Sequence, residues 1–260
     1  MRDATLKCME DGSGPPLVLL HAFPLSRRMW DKQVDAWKRS FRVIAPDLRG
    51  FGESPVGSGE MTMEFCADDL NALFNQLGVQ EKAVLLGLSM GVYVAFEFVR
   101  KYQERLCALV LAATQPVADS EESKKARFET AQFVKDQGPE KLADRLIPRL
   151  LGKTTLDSRP AVVEKVRNLI QSNSTEGIAQ ACYGLASRRD STPVLDQIRI
   201  PTLILAGAED VIVSKIQSEN MHQSIRSSRL RIIESSGHLI NLEQPELFNQ
   251  AVLDFLHETL

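Results

Sequence analysis

Ala83-Val84-Leu85-Leu86-Gly87-Leu88-Ser89-Met90-Gly91-Val92-Tyr93 reads as a buried strand that turns sharply into a helix. The apolar run 83–86 suits a strand covered on both faces. From Val92 to Tyr102, Val94, Phe96 and Phe98 recur among small and polar residues, which predicts a helix. Between the two lies Gly87-Leu88-Ser89-Met90-Gly91. A serine on so tight a turn takes a strained backbone, and side chains two residues away would collide, so glycine stands at both flanks. The helix N-terminus then lies beneath the serine. Its dipole and free N–H groups favour negative charge developing there. Strand before and helix after are the context in which this spacing marks a nucleophile turn.

Outward from this turn, short apolar runs recur at Leu17–Leu20, Val43–Ala45, Leu109–Ala112, Leu203–Leu205 and Leu230–Ile233. Helical spacing separates them. Phe65, Leu70, Leu73 and Phe74 lie in the stretch from Met61 to Leu77, with Gly78 as its stop signal, and Leu247, Val252 and Phe255 lie in Glu246 to Leu256. Alternating strands and helices predict an α/β doubly wound sheet. The rhythm breaks between about Pro116 and Ile200, where no clear strand is read and Pro139, Pro148, Pro160 and Pro193 punctuate four helical patterns. A helical insertion between two strands is the simplest account. The charged tract Ser120 to Lys125 reads as a solvated helix start.

A serine hydroxyl is a poor nucleophile without a base. Four histidines compete. His222 falls in a polar helix-like stretch and His257 in the C-terminal helix near the chain end; both read as surface residues, and the neighbours of His21 suggest another task. His238 follows the strand Leu230–Ile233 in Ser235-Ser236-Gly237-His238, where a loop at a strand's carboxyl end can aim an imidazole at Ser89. It is the expected general base, then acid. The base needs an orienting carboxylate. Ala206-Gly207-Ala208-Glu209-Asp210 ends another strand; Asp210 fits best, with Glu209 the runner-up. Oxyanion donors are expected from the N–H of Met90 and of Phe23, because Pro24 beside it has none. Phe23 and Met90 should also border the substrate's acyl pocket.

Together, His21-Ala22-Phe23-Pro24, Asp47-Leu48-Arg49-Gly50-Phe51-Gly52-Glu53-Ser54, the turn at Ser89, Gly207-Ala208-Glu209-Asp210 and Gly237-His238 resemble the α/β-hydrolase superfamily, over nearly the whole chain. The order Ser89, Asp210, His238 is that family's order. The resemblance implies a mostly parallel, eight-stranded, doubly wound sheet formed by residues 1–115 and 201–260. It also implies a helical cap over the site at 116–200, and treats the Asp47 to Ser54 stretch as a structural turn. It implies acyl transfer to water with no metal or organic cofactor. Where this chain has His21-Ala22 the family usually has His-Gly, so a slightly different backbone is expected at Ala22. Ser89, in place of aspartate, separates the chain from haloalkane dehalogenases and epoxide hydrolases. Tyr183 is the single tyrosine of the insertion, where epoxide hydrolases use two. The glycine-rich first loops of lipases and of carbon–carbon hydrolases are absent. The tail Gly237-His238-Leu239-Ile240-Asn241-Leu242-Glu243-Gln244-Pro245 is similar to that of 3-oxoadipate enol-lactonase-like hydrolases and cofactor-free perhydrolases. The implied substrate is a small ester or lactone. Perhydrolysis, a slowly hydrolysing small-ligand receptor and a scaffold with a vestigial triad stand as alternatives.

Composition excludes other classes. With 31 Lys and Arg against 34 Asp and Glu, the net charge is -3, and no basic excess exists to neutralise nucleic-acid phosphates. No apolar run approaches the roughly 18 residues of a spanning helix, and Met1-Arg2-Asp3-Ala4-Thr5 opens no secretory signal. Neither a membrane nor a nucleic-acid partner is therefore expected. Cys8, Cys66, Cys107 and Cys182 stand alone in apolar contexts, without metal or dithiol spacing, and suggest a reducing cytoplasm. A monomer or a homodimer is expected.

Overall fold

The apolar runs become strands. In the computed structural model, which describes residues 5–57 and 61–260, these are β1 (Cys8–Asp11), β2 (Pro16–Leu20), β3 (Arg42–Pro46), β4 (Ala83–Leu88), β5 (Leu106–Ala112), β6 (Thr202–Gly207) and β7 (Ser228–Ile233). They form one sheet in the order β1-β3-β2-β4-β5-β6-β7. Every neighbouring pair is parallel except β1 with β3. Among the described residues the sheet has seven strands, one fewer than expected, because the chain before β2 supplies a single antiparallel strand, paired from Cys8↔Pro46 to Asp11↔Val43. No apolar run marks β1 in the sequence, because Cys8-Met9-Glu10-Asp11 lies at the sheet edge, half exposed.

The helices are α1 (Asp31–Trp37), α2 (Met63–Gln76), α3 (Met90–Tyr102), α4 (Glu121–Leu150), α5 (Lys153–Ser158), α6 (Pro160–Gln171), α7 (Thr175–Ser187), α8 (Thr192–Leu195), α9 (Lys215–Ser224), α10 (Ile240–Glu243) and α11 (Pro245–Thr259). Side-chain alternation splits the core into two layers. Val18, Leu20, Leu85, Leu109 and Ile204 pack with Leu70 and Phe74 of α2 and Phe96 and Phe98 of α3. Leu17, Leu19, Leu86, Val110 and Leu205 pack with Trp30, Trp37 and Phe248. Strands β2, β4 and β6 are therefore buried along their whole length, which is why their sequences run apolar instead of alternating.

Between β5 and β6 the chain passes through α4 to α8. The two helical patterns read around Pro139 are halves of α4, broken at Gly138, whose φ of 80° and ψ of 168° are not helical. The Asp47–Ser54 turn is held by its own polar groups. Asp47 accepts from the Arg27 and Glu53 amides at 2.8 and 3.0 Å, and the Ser54 hydroxyl donates to the Asp47 carbonyl at 2.7 Å. Arg49 donates twice to buried Asp69, at 2.6 and 2.7 Å. No helix among the described residues is long and apolar enough to cross a membrane. All four cysteines are unpaired.

Candidate active site

In a doubly wound sheet, functional loops gather at the carboxyl ends of the strands, beside the point where strand order reverses. Here β2 lies between β3 and β4, and the loops leaving β2, β4, β6 and β7 carry Phe23, Ser89, Asp210 and His238.

Ser89 has a φ of 54° and a ψ of -110°, a left-handed conformation costing about 1–3 kcal/mol for a non-glycine residue. Its surroundings hold it there. The Ser89 amide donates to the Ala112 carbonyl at 2.9 Å, and the Ser89 carbonyl accepts from Val92 N–H at 2.9 Å. The flanking glycines answer a close approach, since neither has positive φ. A Cβ on Gly87 would lie 2.6 Å from the Gly91 carbonyl carbon, and one on Gly91 would lie 2.2 Å from the Leu20 carbonyl oxygen.

His238 is buried, with Nδ1 2.8 Å from Asp210 Oδ2 and Nε2 2.8 Å from Ser89 Oγ. A carboxylate only accepts, so Nδ1–H donates to Asp210, and Nε2 keeps the lone pair that accepts from the serine hydroxyl. The other carboxylate oxygen, Oδ1, accepts from Ile212 and Val213 N–H at 2.8 and 3.1 Å, which anchors the acid in its own loop. Glu209, the alternative, points elsewhere. Its Oε2 accepts from Thr154 N–H at 2.8 Å, at the start of α5.

The remaining histidines fall outside this arrangement. His21 is buried, donates from Nδ1 to the Ala22 carbonyl at 3.0 Å, and accepts at Nε2 from Leu48 N–H at 3.0 Å. Burial pushes its pKa down, consistent with a neutral ring that fastens the loop after β2 to the turn after β3. His222 pairs with the Ser228 hydroxyl at 2.8 Å on the surface, and His257 is exposed on α11.

Phe23 and Met90 both face the same cavity as Ser89 and His238. Among the described residues, neither of their backbone N–H groups has a hydrogen-bond acceptor. Ala22 is not among the residues of positive φ, and the Phe23–Pro24 peptide that follows it is cis; the Ala22 amide donates to Met29 Sδ at 3.3 Å.

The cavity holds about 240 Å³ and is roofed by α4. Leu146 and Leu150 line it with Leu185, Ile212 and Val213, whereas Leu151 belongs to the buried core. The roof also carries charge that no sequence motif marks. Arg127 and Arg149, from opposite halves of α4, line the cavity with Asp119. Asp119 is shared, accepting from Arg127 Nε at 3.1 Å and facing Arg188 Nη1 at 2.7 Å. Among the described residues Arg149 has no acidic partner. No local signal distinguishes these arginines from the solvated charges that fill the rest of α4.

The profile of a family described as alpha/beta hydrolase fold matches residues 15–245. The chain is 30% identical to 3-oxoadipate enol-lactonase 2 of Acinetobacter baylyi, over 92% of this chain and 87% of that protein. Among solved structures it resembles a thermophilic esterase from Thermogutta terrifontis, solved with malate bound, at 45% identity and a TM-score of 0.95, covering 98% of this chain and 94% of that one. The enol-lactonase from Burkholderia xenovorans LB400 matches with 27% identity and a TM-score of 0.90, covering 98% and 97%.

Proposed function

Because this chain belongs to the alpha/beta hydrolase fold family, and is a hydrolase of ester bonds like its relatives, we propose that it cleaves small carboxylic esters or lactones through an acyl-serine. Ser89 Oγ attacks the carbonyl carbon while His238 Nε2 takes the hydroxyl proton. Asp210 steadies the imidazolium that results. The tetrahedral oxyanion rests on the Phe23 and Met90 amides, where one such donor contributes about 3 kcal/mol of transition-state stabilisation. Breakdown passes the proton from His238 to the departing oxygen and leaves the acyl group on Ser89. His238 then takes a proton from water, whose oxygen attacks the ester carbon, and returns it to Ser89 as the acid leaves.

The observation that carries this reading is the chain of two 2.8 Å hydrogen bonds from Asp210 through His238 to Ser89, ending at the floor of the cavity. The inserted helices serve as the cap over it. A small cavity with two arginines in its roof favours a substrate bearing a carboxylate, in keeping with the enol-lactonase relatives and the malate-bound esterase. Four unpaired thiols fit a reducing, cytoplasmic compartment.

The test is a screen of short esters, lactones and thioesters against the unmutated protein and Ser89→Ala side by side, with fluorophosphonate labelling of Ser89. The substitution should lower kcat by on the order of 10⁶. A Ser89→Ala protein that keeps most of its turnover overturns the assignment.

A further inference from the structure

Glu243 lies outside the Ser89–His238–Asp210 chain, yet its carboxylate is buried, and among the described residues it has no ion-pair partner. Ionising a buried carboxyl is costly without compensation, and burial pushes this one above the usual carboxylate range. What meets it is the Thr155 side chain and the backbone N–H groups of Gly152, Gly237 and Leu239. Oε1 accepts from Gly237 N–H at 2.9 Å, and Oε2 accepts from Gly152 N–H at 2.8 Å. Gly237 immediately precedes His238, and Gly152 is the corner between α4 and α5.

These two amides lie in a tight stack of three glycines. A Cβ on Gly237 would stand 2.3 Å from the Gly152 nitrogen, and a Cβ on Gly207 would stand 2.0 Å from the Gly237 carbonyl oxygen. Gly207 ends β6, three residues before Asp210. The inserted helices, the His238 loop and the Asp210 loop thus touch backbone to backbone. Further bonds follow the same path. Leu150 O, at the end of α4, accepts from both His238 and Leu239 N–H at 3.2 Å. Glu209 ties the next turn, at Thr154, to the Asp210 loop.

We infer that Glu243 is a positioning residue, whose carboxylate clips the Gly237 amide to the Gly152 amide so that the α4–α5 corner holds His238 in line with Asp210 and Ser89. The chemistry selects a carboxylate. Two N–H donors arrive from different segments, and each needs its own acceptor; a glutamine would turn its NH₂ on one of them. The inference rests on the acyl-serine reading above, because it assigns Glu243 to the service of that base.

The experiment measures p-nitrophenyl acetate turnover per Ser89 titrated with a fluorophosphonate, across pH, for the unmutated protein and Glu243→Gln. Misplacing a reacting group by about 1 Å costs up to roughly 100-fold. The expected result is a 10- to 100-fold lower kcat per titrated site, with KM within about threefold. The acidic limb of kcat/KM should move to lower pH, because a loosened Asp210 contact stabilises the imidazolium less. Gly152→Ala reaches the same joint from the other side, with its new Cβ 2.5 Å from Glu209 Oε2, and is read the same way should Glu243→Gln not fold. A folded variant whose kcat per titrated site and pH limb match the unmutated protein overturns the inference, whatever its Tm. If Ser89 of the unmutated protein does not label, the acyl-serine reading falls and this one with it. Labelled Ser89 with indifferent variants removes this one alone.

Discussion

Asp210 uses both carboxylate oxygens, and the two uses differ. Oδ1 is held by the Ile212 and Val213 amides, and Oδ2 holds His238. In Asp210→Asn the carboxamide oxygen would stay on the two amides, which need an acceptor, and the NH₂ would face Nδ1. Nδ1 must then accept, Nε2 carries the proton, and the ring cannot take one from Ser89. The expected loss in kcat is on the order of 10⁴ with the fold intact, checked by ester turnover alongside a thermal melt. The cysteines give a second test at this scale. Burial pushes the Cys66 and Cys182 thiols up to about 12. At pH 8 roughly one molecule in 10⁴ would then carry either thiolate. Both should stay unreactive to a disulfide reagent at pH 8 until the protein is unfolded, as thiol titration with and without denaturant would show.

Helix α7 shows how an element is seated by what it lacks. Gly177 and Gly184 lie seven residues apart, about two turns, and so share a face. A Cβ on Gly177 would fall 1.8 Å from the Gly50 carbonyl oxygen, and one on Gly184 would fall 1.7 Å from that of Met61. The helix therefore rests backbone on backbone against the turn after β3 and the segment leading into α2. Gly184→Ala must lift α7 off that seat. We expect a cost of about 1–3 kcal/mol, by analogy with overpacked cores, seen as a lower denaturant midpoint at unchanged slope. The turn carrying Gly50 is expected from the family resemblance of the Asp47–Ser54 stretch. Its partner is not, because a glycine in a helical pattern looks the same whether it faces water or another backbone.

Over the whole molecule, the cavity is made by segments remote in sequence: Phe23 after β2, Ser89 after β4, Arg127 and Arg149 on α4, and His238 after β7. Its positive roof predicts selectivity. Replacing Arg149 by Gln should reduce kcat/KM for an ester bearing a free carboxylate by roughly tenfold, the scale of one charge-assisted contact. The matched uncharged ester should be little affected, and paired assays of p-nitrophenyl hemiglutarate and p-nitrophenyl butyrate measure the difference. The sequence by itself determined what neighbouring atoms determine. Strands buried on both faces read as apolar runs, and the sterics of a serine between two close-packed glycines read as Gly87 and Gly91. The position of a histidine just past a strand end reads as His238. Only the tertiary structure set Asp210 against His238 and Glu209 against Thr154, brought two arginines and one serine to the same cavity, bonded Glu243 to the amides of two loops, and left a polar edge strand where no apolar run marks one. Those outcomes depend on where separate elements come to lie against each other, and a contact spanning a hundred residues leaves no mark on the local spacing at either end.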